Sequence, residues 1–355
     1  MQHCPASPPP PQPFPGPPKP GITALYKGLS RIPGQDWRIY HFWGKPGAFK
    51  TGPIVTGTSY DVDALKAAIA ESAVAVDGAL DRMLPHPEGR QARVQEAMRY
   101  AIQAGGKRLR PFLVLQSSRL FGVPDARALR VGAAIEALHT YSLVHDDLPC
   151  MDDDDLRRGR PTTHIAFDEM TAVLAGDALL TIAFEFLAGA ETHSNAEVRC
   201  ALALRLAQAG GHVGMIGGQI IDMLADASVG VDAVIELQRK KTGQLFEFSC
   251  EAGPILGETS GEDRQRLKAY AEEMGVVFQI TDDLLDVTST AEKTGKAVGK
   301  DAEAGKQTLV TLMGVEGARA EATRRAEAAV AALGPHAAKA PHLAALPFFL
   351  LDRDA

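Results

Sequence analysis

Apolar residues recur at intervals of three and four from Ser59 onward, and this spacing limits the possible folds more than any other feature of the chain. The pattern runs over several turns in "YDVDALKAAIAESAVAVDGALDRML", "ARALRVGAAIEALHTYSLVHDD" and "EVRCALALRLAQAGG". It is the period of an α-helix with one apolar face, and glycine or proline ends several of these segments. No series of residues alternates as a half-buried strand would. The sequence therefore predicts an all-α domain of ten or more helices over residues 59–355.

The beginning of the chain has a different composition. Ten of the first 20 residues are proline, which favours polyproline II or disorder and cannot bury a core. We expect residues 1–58 to be a disordered extension outside the folded domain. Two interpretations of this segment are open: a start codon assigned too far upstream, or a flexible recruiting arm.

Charge and hydropathy argue against two kinds of partner. The net charge of −7 argues against nucleic acid, which normally requires a basic surface. The most membrane-like stretch, Met170 to Ala190, is interrupted by Asp177 and Glu185. It lacks the roughly 20 consecutive apolar residues of a spanning helix. We expect a buried core helix there, and no integral membrane association.

The cysteines predict a reducing compartment. They are far apart in the sequence, with no CxxC pair and no spacing suited to zinc. Reduced thiols are typical of the cytoplasm, where we expect the protein to be located. The four are Cys4, Cys150, Cys200 and Cys250.

A first acidic cluster lies in "HDDLPCMDDDDLRRGRPT", where six aspartates fall within ten residues. Helical spacing places His139, Ser142 and Asp146 in one column. Pro149 lacks an N–H group and should break or kink the helix, which would let the aspartates on either side converge. The converging residues would be Asp146, Asp147, Asp152 and Asp153.

A second acidic cluster lies in "VFQITDDLLDV", on an otherwise apolar helix. It contains Asp282, Asp283 and Asp286, with Gln279 one turn earlier on the same face. Two such clusters more than 100 residues apart predict opposite walls of one cavity. Carboxylate oxygens that leave room for several waters suit Mg²⁺ shared with substrate phosphates.

Basic clusters complete the pattern. Arginine binds phosphate oxygens with two N–H groups at once, and lysine acts as a mobile point charge. Together with the aspartates, these clusters predict two diphosphates, one held through metal and one held directly by cations. They are Lys107, Arg108 and Arg110; Arg157, Arg158 and Arg160; Lys240 and Lys241; and Lys293, Lys296 and Lys300.

Six motifs occur in the order found in short-chain trans-polyprenyl diphosphate synthases, and the chain most resembles the bacterial farnesyl diphosphate synthases. They are "GGKRLRP", "HDDLPCMDDDDLRRGRPT", "GGQIID", "KTGQLF", "FQITDDLLD" and "TGK". The resemblance begins near Tyr60 and leaves the first 58 residues uncovered. It implies an isoprenoid-synthase-type bundle of helices around a deep central cavity, in a homodimer.

The resemblance also implies a role for individual residues. It assigns Lys107, Arg110, His139 and Arg158 to isopentenyl diphosphate. It assigns Arg157, Lys241, Thr242, Gln279 and Lys296 to the allylic diphosphate. The implied metal ligands are Asp146, Asp152, Asp282 and Asp286, for three Mg²⁺ ions per site with Mn²⁺ as a substitute. The implied catalytic residues are Asp146, Asp147, Asp152, Asp282, Asp283 and Lys241.

The implied reaction joins isopentenyl diphosphate head-to-tail to dimethylallyl or geranyl diphosphate through an allylic carbocation. Tyr141 and Ser142 precede Asp146 by about one helical turn, about 5.4 Å, which is close to the length of one isoprene unit. Together with the aspartate motif lengthened by two residues, Tyr141 resembles the pattern that stops at fifteen carbons. A twenty-carbon product is the alternative.

Three other classes of protein fit less well. A terpene cyclase would lack "GGKRLRP", and its second metal motif would not be a DDxxD. A non-catalytic subunit of a prenyl synthase would have lost one aspartate motif. A calcium-binding or scaffold protein leaves the paired sites unexplained. After Lys306 the family usually has a Thr-Tyr-Pro pattern, whereas this chain has "QTLVTLMG", so the local helix start is not predicted.

Overall fold

A computed structural model describes residues 60–224, 230–288 and 307–352. Over these residues the chain forms thirteen α-helices and one two-stranded ribbon, so the prediction of an all-α domain is confirmed. The predicted extension, residues 1–58, lies outside the described residues, as do Lys293, Lys296 and Lys300. The helices are α1 (Val62–Met83), α2 (Ala92–Ile102), α3 (Leu109–Leu120), α4 (Asp125–Asp146), α5 (Thr163–Ala166), α6 (Glu169–Ala188), α7 (Ala196–Gly210), α8 (Met215–Leu224), α9 (Val231–Gln238), α10 (Gln244–Leu256), α11 (Gly261–Thr288), α12 (Leu309–Leu333) and α13 (Pro341–Leu351).

Helix α4 lies at the centre of the fold. It packs against α3 and α6, and α10 packs against α3, α7 and α11. Small residues bring α4 close to its neighbours: a side chain added at Gly132 would meet Pro111 of α3 at 3.4 Å. A helix that is buried on most of its faces carries apolar residues around its circumference rather than along one stripe. This central position fixes the direction of the acidic segment at the end of α4.

The ribbon is the one departure from the all-helical prediction among the described residues. Its strands, β1 (Leu156–Arg157) and β2 (Arg160–Pro161), are antiparallel and two residues long. The two residues between them, Arg158 and Gly159, have φ of 54° and 73°. Positive φ at both central positions is what a tight hairpin turn requires, and only the glycine adopts it without strain. A strand of two residues is too short for sequence periodicity to detect.

Helix α6 contains the stretch that sequence analysis placed in the core. Within the described residues, it alone is long and apolar enough to cross a membrane by length and composition, and 44% of that window is buried. Its buried face packs against α4 and α2. The prediction of a core helix therefore holds for one face, while Met170, Val173 and Leu174 are exposed on the other.

The start of α12, which the sequence left unpredicted, is set by Thr308. Its side-chain oxygen accepts from the backbone N–H of Thr311 at 3.2 Å. The hydroxyl of Thr311 in turn accepts from the backbone N–H of Thr308 at 2.8 Å. Reciprocal capping of this kind satisfies two backbone donors at a helix N-terminus. The "QTLVT" segment thus provides its own helix start.

A buried ionic cluster joins α7 to α10 and α11. Arg205 of α7 pairs with both Glu247, at 3.0 Å, and Glu251 of α10, and Arg264 of α11 donates to Glu251 at 2.8 Å. Arg205 is shared by the two glutamates, and the Arg264 side chain that also pairs with Glu251 is partly exposed. Burial raises the pKa of Glu247 to about 7.

Candidate active site

A cavity of about 1900 Å³ opens between the N-terminus of α3, the C-terminal half of α4, the ribbon, α8 and the last turns of α11. Its lining gathers most of the residues singled out in the sequence, although they are spread over 180 positions of the chain. These are Lys107, Arg110, His139, Tyr141, Ser142, Asp146, Asp152, Arg157, Arg158, Lys241, Thr242, Gln279, Asp282, Asp283 and Asp286.

The first acidic cluster forms because α4 ends at Asp146 and the chain then turns back. The backbone N–H of Asp152 donates to the carbonyl of Asp146 at 2.8 Å, and that of Asp153 donates to Leu148 at 3.2 Å. Pro149 lies in this turn, so the predicted break occurs and brings Asp146 and Asp152 together. Asp153, which sequence analysis grouped with them, is exposed and lies outside the cavity lining, and it has a positive φ of 52°.

The carboxyl group of Asp146 lies in a partly buried, negatively charged environment. Burial, together with the charges of Asp152 and Asp147, raises its pKa to about 6, and Lys241 and Arg157 oppose this shift. Gln219 of α8 donates to Asp146 Oδ1 at 2.9 Å. A carboxylate whose charge is disfavoured by burial and by like charges gains stability when a cation binds beside it.

Asp147 adopts a different position from the one that sequence analysis gave it. It is 3% exposed and is not part of the cavity lining. Its Oδ1 accepts from Arg157 Nε at 2.6 Å and lies 2.5 Å from Arg157 Nη2. The neighbouring residue thus turns inward and holds an arginine of the ribbon, while Asp146 faces the cavity.

The second acidic cluster lies on α11, and all three of its aspartates line the cavity. Asp282 is exposed and Asp286 is half-buried. Asp283 is 4% exposed, and its two oxygens accept from Gln279 at 2.9 Å and from Gln238 at 3.2 Å. These bonds engage both oxygens of Asp283 and orient Gln279, whose own Oε1 accepts from the Thr242 hydroxyl at 3.2 Å.

Arg108 was grouped with the phosphate-binding cations of "GGKRLRP", and the structure corrects that grouping. Its guanidinium is buried and donates to Asp77 at 2.9 Å, to Glu136 at 2.5 Å and to the carbonyl of Ile102 at 2.7 Å. An arginine whose N–H groups are bonded on three sides by protein has little capacity left for a phosphate. Arg108 therefore anchors the segment between α2 and α3 to helices α1, α2 and α4.

Arg110, two residues later, faces the cavity. Its Nη1 lies 3.2 Å from His139 Nε2, and its guanidinium stacks over the Phe246 ring at 4.8 Å. Its Nε is buried without a hydrogen-bond partner. Burial lowers the pKa of Arg110 to about 10, so it keeps its charge at neutral pH. A buried, charged and incompletely bonded guanidinium is suited to an anionic ligand.

His139 is neutral at this position. Burial lowers its pKa well below the usual value, and Arg110, Arg158 and Arg157 add to the effect. Arginine can only donate, so His139 Nε2 accepts from Arg110 and the ring proton is on Nδ1. The imidazole therefore orients Arg110.

Helix α8 supplies functional contacts that sequence analysis did not assign. "GGQIID" was recognised as a motif, but no residue in it was given a role. Asp222 accepts from Lys241 Nζ at 2.7 Å, one turn after Gln219 reaches Asp146. The spacing of three places both side chains on one face of the helix, a signal that was available in the sequence.

Gly218 lets α8 lie close enough to Lys241 for the contact between Lys241 and Asp222. A Cβ at position 218 would lie 2.2 Å from the backbone nitrogen of Lys241 and 2.5 Å from its Cα. Lys241 lies in a π-helical turn, Arg239–Gly243, between α9 and α10. Such turns are rare and are often found at functional sites. Here the turn brings Lys241 and Thr242 to the cavity, and glycine at 218 lets α8 approach it.

Tyr141 and Ser142 lie about one helical turn before Asp146 on α4. The Tyr141 ring is 5% exposed and packs edge-on against His145 at 5.6 Å. The hydroxyl of Ser142 donates to the carbonyl of His139 at 2.9 Å, which leaves a small surface at this position. Both residues line the cavity.

The donor set fits Mg²⁺ that is shared with a ligand. Among the described residues, no three carboxylate, histidine or cysteine side chains converge into an ion cage by themselves. The candidate ligands line two walls of the same cavity. Mg²⁺ commonly binds through one or two carboxylates plus substrate phosphates and water, so separate walls are the expected arrangement. The four are Asp146, Asp152, Asp282 and Asp286.

Comparison with known proteins identifies the family of this chain. The family model "Polyprenyl synthetase" matches residues 91–343. Farnesyl diphosphate synthase of Bacillus subtilis (strain 168) is 45% identical over 228 residues, covering 64% of this chain and 77% of that protein. Geranylgeranyl pyrophosphate synthase 9, chloroplastic, of Arabidopsis thaliana is 42% identical over 260 residues, covering 71% of this chain and 72% of that protein.

A solved structure resembles the fold as well. The apo crystal structure of an FPP/GFPP synthase from Zymomonas mobilis superposes with a TM-score of 0.74 at 43% sequence identity. The match covers 81% of this chain and 99% of that chain. The names of these relatives cover more than one product length, so similarity alone does not determine the product.

Proposed function

The chain belongs to the polyprenyl synthetase family, and from that premise we propose that it makes (2E,6E)-farnesyl diphosphate from isopentenyl diphosphate and dimethylallyl or geranyl diphosphate. Its fold is the all-α isoprenoid-synthase bundle, and short-chain prenyl diphosphate synthesis is the activity that the family supports. The fifteen-carbon product and the roles of single residues are the proposal.

The basic residues divide between two diphosphates. Lys107, Arg110 and Arg158 bind isopentenyl diphosphate, with His139 orienting Arg110 through its 3.2 Å contact. The allylic diphosphate is bound on the other side of the cavity. The residues proposed for it are Arg157, Lys241, Thr242, Gln279 and Lys296, the last of which lies outside the described residues.

The aspartates Asp146, Asp152, Asp282 and Asp286 would hold Mg²⁺, three ions per site with Mn²⁺ as a substitute. Bound Mg²⁺ supplies positive charge that offsets the charge developing on the leaving diphosphate. Lys241 contributes in the same sense, because Asp222 holds its ammonium group at the cavity.

The reaction itself breaks the allylic C–O bond and leaves a carbocation. The double bond of isopentenyl diphosphate attacks this cation, a C–C bond forms, and a proton leaves from the former isopentenyl unit. His139 does not suit the role of base, because its Nε2 lone pair already accepts from Arg110. The released diphosphate is the proposed base. Apolar walls at Tyr141, Leu245 and Phe278 limit the access of water, which would quench the cation.

One observation carries the proposed product length. The buried ring of Tyr141 and the small side chain of Ser142 line the cavity one helical turn below Asp146, where a growing tail would pass. A twenty-carbon product is the alternative, and relatives named for geranylgeranyl synthesis are also similar to the chain. A non-catalytic subunit is a weaker alternative, because both aspartate clusters line the cavity.

Incubation with labelled isopentenyl diphosphate and each allylic starter tests the proposal. Chromatography of the dephosphorylated products should show fifteen carbons from either the five- or the ten-carbon starter. Ser142→Phe should shift the product toward ten carbons, because the ring occupies about one isoprene length, whereas Ser142→Ala should keep the wild-type product. An unchanged product length in Ser142→Phe at a near-normal rate would show that this face does not line the tail.

The proposal includes a homodimer located in the cytoplasm. The exposed apolar face of α6, with Met170 65% and Leu174 49% exposed, supports a second copy as its partner, since such faces mark interaction sites. The three described cysteines are unpaired, which supports a reducing compartment. Light scattering of the purified protein at micromolar concentration should give twice the mass of one chain.

A further inference from the structure

The β1–β2 ribbon carries two of the proposed diphosphate-binding arginines, yet it is too short to hold its own conformation. Its strands have two residues each, and Arg158 at the turn has a φ of 54°, which strains a residue other than glycine. Isolated two-stranded hairpins are at best marginally stable in water. Contacts from outside the ribbon must therefore fix the direction of these arginines.

Arg157 obtains such contacts from the acidic segment of the chain. Asp147 holds its guanidinium with distances of 2.6 and 2.5 Å, and Asp154 adds an ion pair at 3.7 Å. The position of Arg157 is thus determined by the end of α4.

The other end of the ribbon is attached to α2 by Tyr100. The Tyr100 hydroxyl donates to the carbonyl of Pro161 at 2.8 Å, and the Arg160 guanidinium lies over the Tyr100 ring at 4.5 Å. Arg160 Nη1 also donates to the carbonyl of Gln103 at 3.1 Å. Phe167 packs edge-on against the Tyr100 ring at 5.6 Å and limits its rotation. Arg160 does not line the cavity, so we do not expect it to contact a substrate directly.

The segment between α2 and α3 lies next to the ribbon, and its contact with Arg158 shows which side chain the Tyr100 and Arg160 contacts position. A Cβ on Gly106 would lie 2.6 Å from Arg158 Nη1, and Gly106 has a φ of 139°. The guanidinium of Arg158 therefore packs directly over the backbone that precedes Lys107. Arg158 and Lys107 both line the cavity.

We propose that Tyr100 and Arg160 are positioning residues that hold Arg158 beside Lys107 and thereby assemble the subsite for the diphosphate of isopentenyl diphosphate. This inference rests on the proposed function and adds two residues that do not touch substrate. It also assigns the effect to one substrate. Although the backbones of Arg157 and Arg160 pair, the guanidinium of Arg157 is held by Asp147 and Asp154, so binding of the allylic diphosphate should change little.

Steady-state kinetics of Tyr100→Leu, Tyr100→Phe and Arg160→Gln tests the proposal. Tyr100→Leu and Arg160→Gln should raise the KM for isopentenyl diphosphate by about five- to tenfold, the loss expected for one stacked cation and one hydrogen bond. The KM for geranyl diphosphate should change by less than about twofold, since the contacts of Arg157 are kept. Tyr100→Phe keeps the stacked ring and should recover most of the affinity.

Arg93→Gln is the matched control. Arg93 also lies on α2, stacks over Phe167 at 5.6 Å and pairs with Asp168 at 2.5 Å, at the start of α6 instead of the ribbon. It should alter the melting temperature without separating the two KM values.

Three results separate the possible failures. Equal changes in both KM values, or unchanged KM values with a lower melting temperature, would overturn the positioning role. If Tyr100→Leu does not fold, Arg160→Gln and Tyr100→Phe still give the KM comparison. A wild-type protein that does not turn over isopentenyl diphosphate with any allylic starter would instead overturn the proposed function itself.

Discussion

Replacing Gly218 with alanine tests whether α8 positions Lys241 by direct backbone contact. The new Cβ would lie 2.2 Å from the Lys241 nitrogen, whereas ordinary contact begins near 3.4 Å. The helix and the π-helical turn must therefore separate by about 1 Å. The atom in the way belongs to the backbone, so rotation of a side chain cannot relieve the overlap.

The magnitude of the stability change depends on two opposing effects. Alanine in place of glycine stabilises a helix interior by about 1 kcal/mol. Overpacking costs about 1–3 kcal/mol, so we expect Gly218→Ala to lower the free energy of unfolding by up to about 2 kcal/mol net. Gly78 of α1 is the matched control, because the nearest atom to an added Cβ there is the end of the Arg82 side chain at 3.4 Å. Gly78→Ala should be stabilising by up to about 1 kcal/mol.

Activity should change in a specific way. A displacement of about 1 Å lengthens the 2.7 Å contact between Lys241 and Asp222, and misplacement on this scale reduces turnover by tenfold or more. Thermal unfolding and steady-state kinetics with geranyl diphosphate measure both effects. If Gly218→Ala raises the melting temperature as Gly78→Ala does and leaves kcat unchanged, the proposed contact does not position Lys241.

Three further predictions follow from the site and the core. Asp146→Ala and Asp282→Ala should each lower kcat by orders of magnitude with little change in far-ultraviolet circular dichroism; activity that either variant retains in EDTA would contradict the two-wall metal site. Tyr141→Ala should allow part of the product to reach twenty carbons, measured by chromatography, because the buried ring no longer closes the tail path. The pKa of Glu247 is raised to about 7 in the fold, so its contribution to stability is present below its unfolded value near pH 4.3 and is lost as the pH rises through 7. Glu247→Gln should remove that loss, which denaturant titrations from pH 5 to 8 would detect as a difference of about 1–3 kcal/mol between variant and wild type.

The interpretation of residues 1–58 as an extension outside the folded domain stays a prediction. A chain that begins at Ser59 should retain wild-type kinetics and melting temperature, because half of the first 20 residues are proline and cannot contribute a core. A large fall in either quantity would show that the segment with Trp37 and Trp43 docks on the domain.

The sequence by itself was sufficient for the fold class and for the family. A spacing of three and four residues is a local property of a helix, so it can be read without knowing what the helix packs against. The types of residue in the two aspartate motifs and the basic motifs favour metal-bound and cation-bound phosphate as the ligand, which stays a prediction. Pro149 marked the end of α4 for a reason equally local, its missing N–H group.

Only the tertiary structure decided which member of each charged pair is available to a ligand. Asp146 faces the cavity, whereas Asp147 holds Arg157. Arg108 and Arg110 both line the cavity, but Arg108 is bonded to protein groups while Arg110 has a buried Nε without a partner. Adjacent or nearly adjacent charges have the same composition and the same local propensity. A buried charge needs a partner of opposite charge or a hydrogen-bonding group, and that partner comes from a distant segment of the chain. Helix packing determines whether that partner is present, and so decides which carboxylates and guanidinium groups remain available to the ligand.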